Sequence, residues 1–279
     1  MLGLDPDPGA LWPGAVVGRA AGDPAQLTAQ AVERHCMAAI NAAGGACVGV
    51  KLQLACFERL RAAGWRALER VAGMAREAGL LVLADGKRGD VPVTARAYAQ
   101  ALVGETRGPF GTVAGLGVDA FTANPLLGRD ALEPLVDAAA AAGAGAFLLV
   151  RTSNPGAAEI QDQGDEPLHE RLAQLVDELG ADHVGESGLS CVGAVTGATR
   201  PELLTRLREL MPRAIFLLPG VGAQGGRVEE LGPAFAPHAA AGLVTASRSI
   251  VDAYAERGGD PGEAAAYAAE ELREASWAL

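Results

Sequence analysis

Residues 81–90 read Leu-Val-Leu-Ala-Asp-Gly-Lys-Arg-Gly-Asp, an apolar run of strand length that ends in four charged side chains. Asp85 and Lys87 are two residues apart, which puts them on one face where the chain leaves a strand. Asp90 follows on the expected turn into a helix. Charges at a buried strand end are expensive to desolvate and persist when they pair or do chemistry. Lys51, ending the candidate strand 47–51, completes with Asp85, Lys87 and Asp90 an alternating array of two ammonium groups and two carboxylates. A lysine between carboxylates stays protonated and can donate to a developing carbanion. A metal ion on Asp85 and Asp90 is the weaker reading, because two lysines compete with the cation and no further carboxylate joins them on that loop. A structural salt-bridge network is the bland alternative.

Residues 219–226, Pro-Gly-Val-Gly-Ala-Gln-Gly-Gly, contain a literal GxGxxG from Gly220 to Gly225. That fingerprint belongs in the first βαβ unit of a dinucleotide fold, whereas this one follows the seventh candidate strand. A glycine-rich loop there, with a helix start after the eighth strand, suits a phosphate monoester instead. Arg248 at that helix start supplies a guanidinium, and a cation at a helix N-terminus opposes the dipole unless an anion lies between. Arg151-Thr152-Ser153-Asn154 is polar turn chemistry after an apolar strand, readable as an ordinary turn. Asp5 reads as a helix cap or a ribose ligand.

The candidate strands are 1–5, 47–51, 80–85, 118–123, 145–151, 190–196, 214–218 and 241–246. Helical periodicity occupies 26–43, 64–78, 93–105, 129–142, 167–180, 200–210 and 261–277, with shorter helices after 226 and 248. Eight strands alternating with helices describe an α/β fold, a single (β/α)8 TIM barrel over residues 1–279. In such a barrel the functional groups collect at the C-terminal strand ends, where Asp5, Lys51, Asp85, Lys87, Ser153, Pro219, Gln224 and Arg248 all fall.

The 279 residues are 49% hydrophobic and carry a formal net charge of −11, with no Lys/Arg cluster. Nucleic-acid binding needs a basic footprint, so that class of partner is excluded. An anionic ligand must be held locally against the global field. Cys36, Cys47, Cys56 and Cys191 form no CxxC pair and read as reduced thiols. No apolar stretch reaches transmembrane length and no signal peptide opens the chain, so a cytoplasmic protein without membrane partners is expected.

Eight segments together resemble the orotidine 5′-phosphate decarboxylase family, in its longer bacterial subfamily: GLDPDP (3–8), VKLQLACFE (50–58), LADGKRGDVPVTARAYA (83–99), FTANPLLGRDALEP (121–134), LLVRTSNPGA (148–157), VGAVTGAT (192–199), FLLPGVGAQGG (216–226) and TASRSI (245–250). The resemblance implies loss of CO2 from orotidine monophosphate to give uridine monophosphate in pyrimidine biosynthesis, with no cofactor and no metal. It implies that Lys87 protonates C6, that Asp85 lies against the substrate carboxylate, and that Lys51 contacts the ribose and orders the array. Asp90 and Thr94 would reach into a neighbouring subunit's site, making a homodimer. Asp5 would bind a ribose hydroxyl, Ser153 the pyrimidine edge, Gln224 base and phosphate, and Arg248 the phosphate, with Pro219 among the substrate-binding residues. Two departures stand out. Asp90-Val91-Pro92-Val93-Thr94 replaces the family's usual DIG-(S/N)-T, and proline is expected to fit the first helical turn. Relatives also carry a helix and a fuller first strand before GLDP, so a missing N-terminal helix and part of strand one are expected. A related metal-dependent sugar-phosphate decarboxylase or aldolase barrel, and a non-catalytic phosphate-binding barrel, are the competing readings.

Overall fold

The computed structural model describes residues 1–16 and 21–279. Eight parallel strands form one sheet whose neighbours follow chain order: β1 (Leu2–Leu4), β2 (Gly49–Gln53), β3 (Leu81–Arg88), β4 (Ala120–Ala123), β5 (Gly145–Arg151), β6 (Val192–Thr196), β7 (Phe216–Pro219) and β8 (Gly242–Thr245). Leu2 also bridges in parallel to Ala246, one residue past β8. This is the (β/α)8 barrel architecture that the alternation of elements predicts. The strands read as continuous Val, Leu, Ala and Phe because parallel strands are covered on both faces; every residue of β6 is buried.

The principal helices are α1 (Pro24–Ala43), α2 (Leu54–Glu58), α3 (Arg61–Glu77), α4 (Pro92–Leu102), α5 (Arg129–Ala142), α6 (Leu168–Gly180), α7 (Leu204–Leu210), α8 (Arg248–Val251), α9 (Tyr254–Arg257) and α10 (Pro261–Trp277). Local chemistry sets their ends. The Asp23 side chain accepts the Gln26 N–H at 3.3 Å and Pro24 follows it, so α1 starts two residues earlier than its apolar periodicity suggests. Pro92 likewise opens α4, as expected of proline in a first turn. Among the described strands and α-helices, two elements escape the sequence reading. One is α2. The other is an antiparallel hairpin of Glu105–Gly108 with Gly111–Ala114, where a helix was expected to continue to 105. Both hairpin strands are exposed, so they carry no alternating apolar signal; only the Gly108-Pro109-Phe110-Gly111 turn marks them.

The chain divides into two compact units, Met1–Gly86 with Ala246–Glu274, and Lys87–Thr245 with Ala275–Leu279. In the first, α1 packs on α3, and the two helices bury Val32, Cys36 and Ala39 on the one and Leu68, Val71 and Ala75 on the other. In the second, α4 packs on α5, and α7 sends a buried guanidinium inward. Arg208 donates to the carbonyls of Met211, Ala214, Ala234 and Ala241 and lies 3.7 Å over the Phe216 ring. Burial lowers its pKa to about 10, which still leaves it charged at neutral pH. This staple holds β7, the strand that enters the glycine-rich loop.

Candidate active site

In the first unit, strand register builds a charge triad. Lys51 is level with Gly3 on β1 and Leu83 on β3, and Gln53 is level with Asp85. Residues level in a parallel sheet point to the same side, so the Lys51 side chain rises from one layer below into the layer of Gln53, Asp85 and Asp5. Its Nζ donates to Asp85 Oδ2 at 2.8 Å, Gln53 Oε1 at 3.3 Å and Asp5 Oδ1 at 3.4 Å. Lys51 and Asp85 are 5% and 6% exposed, dry enough for electrostatics to act at full strength. Burial alone would push the Lys51 pKa down. The Asp85 and Asp5 carboxylates outweigh it and hold the ammonium above the usual lysine value. Asp5 is thus an ion-pair partner of Lys51, where the sequence left a helix cap or a ribose ligand open.

The same unit holds Arg248. It opens α8, which is a single turn of four residues, so little macrodipole is available at this helix start. A cavity of about 190 Å³ is lined by Asp5, Asp7, His35, Ser247, Arg248 and Asp252 among others. Burial raises the Asp252 pKa, opposed by the nearby Arg248 charge. Arg248 itself is exposed, and its side chain has no hydrogen bond or ion pair among the described residues.

The second unit holds Lys87, Asp90 and Thr94. Lys87 is exposed and has φ +48°, a left-handed conformation that a non-glycine residue adopts at roughly 1–2 kcal/mol. Its N–H donates to Thr122 Oγ1 at 2.9 Å, and the Asn124 N–H donates to the Arg88 carbonyl at 2.8 Å. These bonds carry β3 three residues beyond its expected end. Asp90 accepts the Val91 N–H at 2.7 Å, and Thr94 is exposed on the first turn of α4 beside exposed Val93.

Ser153, Pro219 and Gln224 come together in this unit. The Ser153 carbonyl accepts from Thr199 Oγ1 at 3.0 Å, and a Cβ at Gly197 would lie 2.8 Å from the Ser153 backbone. The Pro219 carbonyl accepts the Ala198 N–H at 2.9 Å. Gly220 has φ +102°, and a Cβ there would meet Ser153 Cβ at 3.0 Å and Gln224 Oε1 at 3.3 Å. Only glycine permits both that backbone and that approach. Gly222 and Gly225 also have positive φ, and the Gly226 N–H returns to the Gly220 carbonyl at 3.0 Å. The loop closes on itself and leads only into short 3-10 turns at Val228–Glu230 and Gly232–Phe235, not into an α-helix, so the GxGxxG match is not a dinucleotide fingerprint.

Behind Ser153 stands an ion network. Arg151, at the end of β5, grips Asp162 with Nε and Nη2 at 2.7 and 3.0 Å, and Arg200 Nη1 reaches the same carboxylate at 3.1 Å. Hydrogen bonds from Arg151 lower the Asp162 pKa, assisted by the Arg200 charge. His169 Nδ1 lies 3.2 Å from Asp162, and the Thr152 N–H donates to Gln161 Oε1 at 2.8 Å. Among the described residues no three His, Cys, Asp or Glu side chains are grouped to hold a metal ion, and no helix is long and apolar enough to cross a membrane.

Residues 3–266 match the Orotidine 5′-phosphate decarboxylase / HUMPS family. The chain belongs to this family. It is 42% identical over 231 residues to an orotidine 5′-phosphate decarboxylase of Rhodopirellula baltica, covering 81% of this chain and 74% of that one. Against the protein of the same description from Roseiflexus castenholzii it is 37% identical over 282 residues, covering 98% and 90%. The solved structure of Leishmania donovani OMP decarboxylase superposes with a TM-score of 0.71 at 28% identity, covering 99% of this chain and 93% of that one.

Within this decarboxylase-family framework, the sequence reading missed Gln53, Thr199, Asp162 and Arg200. Gln53 had a usable signal, since it follows Lys51 by two and shares its face. Asp162 and Arg200 lie on loops 11 and 49 residues beyond Arg151, and no local pattern joins them.

Proposed function

We propose that this chain decarboxylates orotidine 5′-phosphate to uridine 5′-phosphate and CO2 in pyrimidine biosynthesis, as a cytoplasmic, cofactor-independent member of the longer bacterial subfamily. The observation that carries the reading is the Asp5–Lys51–Asp85 triad, its Lys51–Asp85 pair buried and Asp85 two residues before Lys87, in a chain of this family. The triad bears a net negative charge. A substrate carboxylate brought against Asp85 is repelled, whereas the transition state, in which that charge moves into the ring, is repelled less. The C6–carboxylate bond breaks, CO2 departs, and the electron pair left on C6 takes a proton from the Lys87 ammonium, which solvent later restores. Preorganised stabilisation of that carbanion is the larger effect. Asp5 and Lys51 hold the ribose, Ser153 reads the pyrimidine edge, and Gln224 bridges base and phosphate beside Pro219. Arg248 takes the phosphate, consistent with an exposed guanidinium on the cavity that Asp5 also lines.

Asp90 and Thr94 complete the site of a second subunit in a homodimer, which suits their place beside exposed Val91 and Val93. An absorbance assay with orotidine 5′-phosphate tests the chemistry. Lys87→Ala should lose at least about a thousandfold in turnover, and parental turnover in that variant would remove Lys87 as proton donor. Abolition of activity by EDTA would favour the metal-dependent sugar-phosphate reading instead. Mixing Lys87→Ala with Asp90→Ala subunits should restore part of the activity if the site is shared between subunits.

A further inference from the structure

Among the described residues the Arg248 side chain makes no hydrogen bond or ion pair and has only the charge of Asp252 near it, so its aim depends on the backbone of α8, a single turn. An isolated turn does not hold itself, since helix nucleation is unfavourable without tertiary anchors. Two anchors fix this one. At its start, the Gly3 N–H donates to the Ala246 carbonyl at 2.8 Å, and a Cβ at Gly3 would stand 1.9 Å from Ser247 Oγ, so glycine lets the segment lie against β1. At its end, Trp12 Nε1 donates to the carbonyl of Val251, the last residue of α8, at 3.0 Å. Trp12 is 5% exposed and is itself held twice. Its N–H donates to His35 Nδ1 at 3.1 Å, and its ring meets the His35 imidazole edge-to-face at a centroid distance of 5.4 Å. Burial lowers the His35 pKa to about 4, so at neutral pH the imidazole is uncharged and Nδ1 keeps the lone pair that accepts this bond.

Trp12 lies in the loop that leaves β1 directly after Asp5 and Asp7. One indole therefore ties the Asp5-bearing loop to the turn that begins with Arg248. We propose that Trp12, seated on His35, is a positioning residue for substrate phosphate recognition, acting through α8 to set the place of Arg248 relative to Asp5. The proposal rests on the reading of Arg248 as the phosphate ligand.

Steady-state kinetics of Trp12→Phe, which keeps an aromatic ring and loses the indole donor, test it. KM for orotidine 5′-phosphate should rise about fivefold with kcat within about twofold, the size expected from one orphaned carbonyl. The rise should vanish when Trp12→Phe is placed in an Arg248→Ala background, and kcat/KM for orotidine, which lacks the phosphate, should be the same in Trp12→Phe as in the parent. An unchanged KM, a full additional loss in the Arg248→Ala background, or an equal loss on orotidine would overturn the proposal. If Arg248→Ala alone leaves KM unchanged, the phosphate reading fails and the proposal falls with it, whereas the other outcomes overturn the proposal and leave that reading intact. Should Trp12→Phe fold poorly, His35→Phe removes the acceptor beneath Trp12 and should raise KM about twofold with the same dependence on Arg248.

Discussion

Each of the two units carries an ion network built on a buried strand-end cation, with opposite stoichiometry. In the first, two carboxylates share one ammonium: Asp5 and Asp85 on Lys51. In the second, two guanidinium groups share one carboxylate, Arg151 and Arg200 on Asp162, with the more exposed Glu202 as an outer partner of Arg200. The difference is chemical. Arginine's fork grips a carboxylate bidentately and stays protonated at any physiological pH, which suits a fixed support behind the Ser153 loop. An ammonium is a point charge with three donors, and two carboxylates around it leave surplus negative charge where a substrate carboxylate would be repelled. One network is built to hold, and the other is built with an imbalance.

Lys51→Met breaks the comparison hardest. Removing the shared cation leaves the buried Asp85 carboxylate without its partner, so stability should fall on the order of 3–5 kcal/mol and turnover by roughly a thousandfold or more. The defect in denaturant unfolding should shrink on acidification, because a stranded carboxylate can take up a proton. Asp162→Asn is the converse. It should destabilise by about 2 kcal/mol, with turnover per folded molecule within about tenfold of the parent, and acid should give no recovery because arginine stays charged. Equal pH responses in the two variants would erase the distinction drawn between the networks.

The smallest effect is a pH dependence that belongs to neither. The raised Lys51 pKa contributes stability that is complete below the ordinary lysine value and lost as pH rises through its folded value. The lowered Asp162 pKa contributes stability present above the ordinary aspartate value and lost as pH falls through its folded value. Between those limits His35 acts. Its folded pKa of about 4 lies below that of an unfolded histidine, so the unfolded chain takes up the proton first and stability falls with pH. Melting curves should lose about 1 kcal/mol between pH 7 and 5.5. His35→Asn, which can still accept the Trp12 N–H, should flatten that slope, and an unaltered slope would assign it elsewhere.

The amino-acid order by itself determined the eight strands, most of the helices and the rim on which charged residues collect, because parallel strands and amphipathic helices announce themselves over short windows. It also placed Asp5, Lys51, Asp85, Lys87 and Arg248 at strand ends, since each directly follows or ends an apolar run. Only the tertiary structure decided the partners. Register alone could bring Asp5 to Lys51, and 239 residues separate Trp12 from the Val251 carbonyl it holds. The left-handed turn at Lys87 likewise depends on Thr122, 35 residues later. Periodicity is a local property of the chain, whereas hydrogen bonds and ion pairs at a barrel rim join loops distant in sequence, and their pairing is chosen by packing.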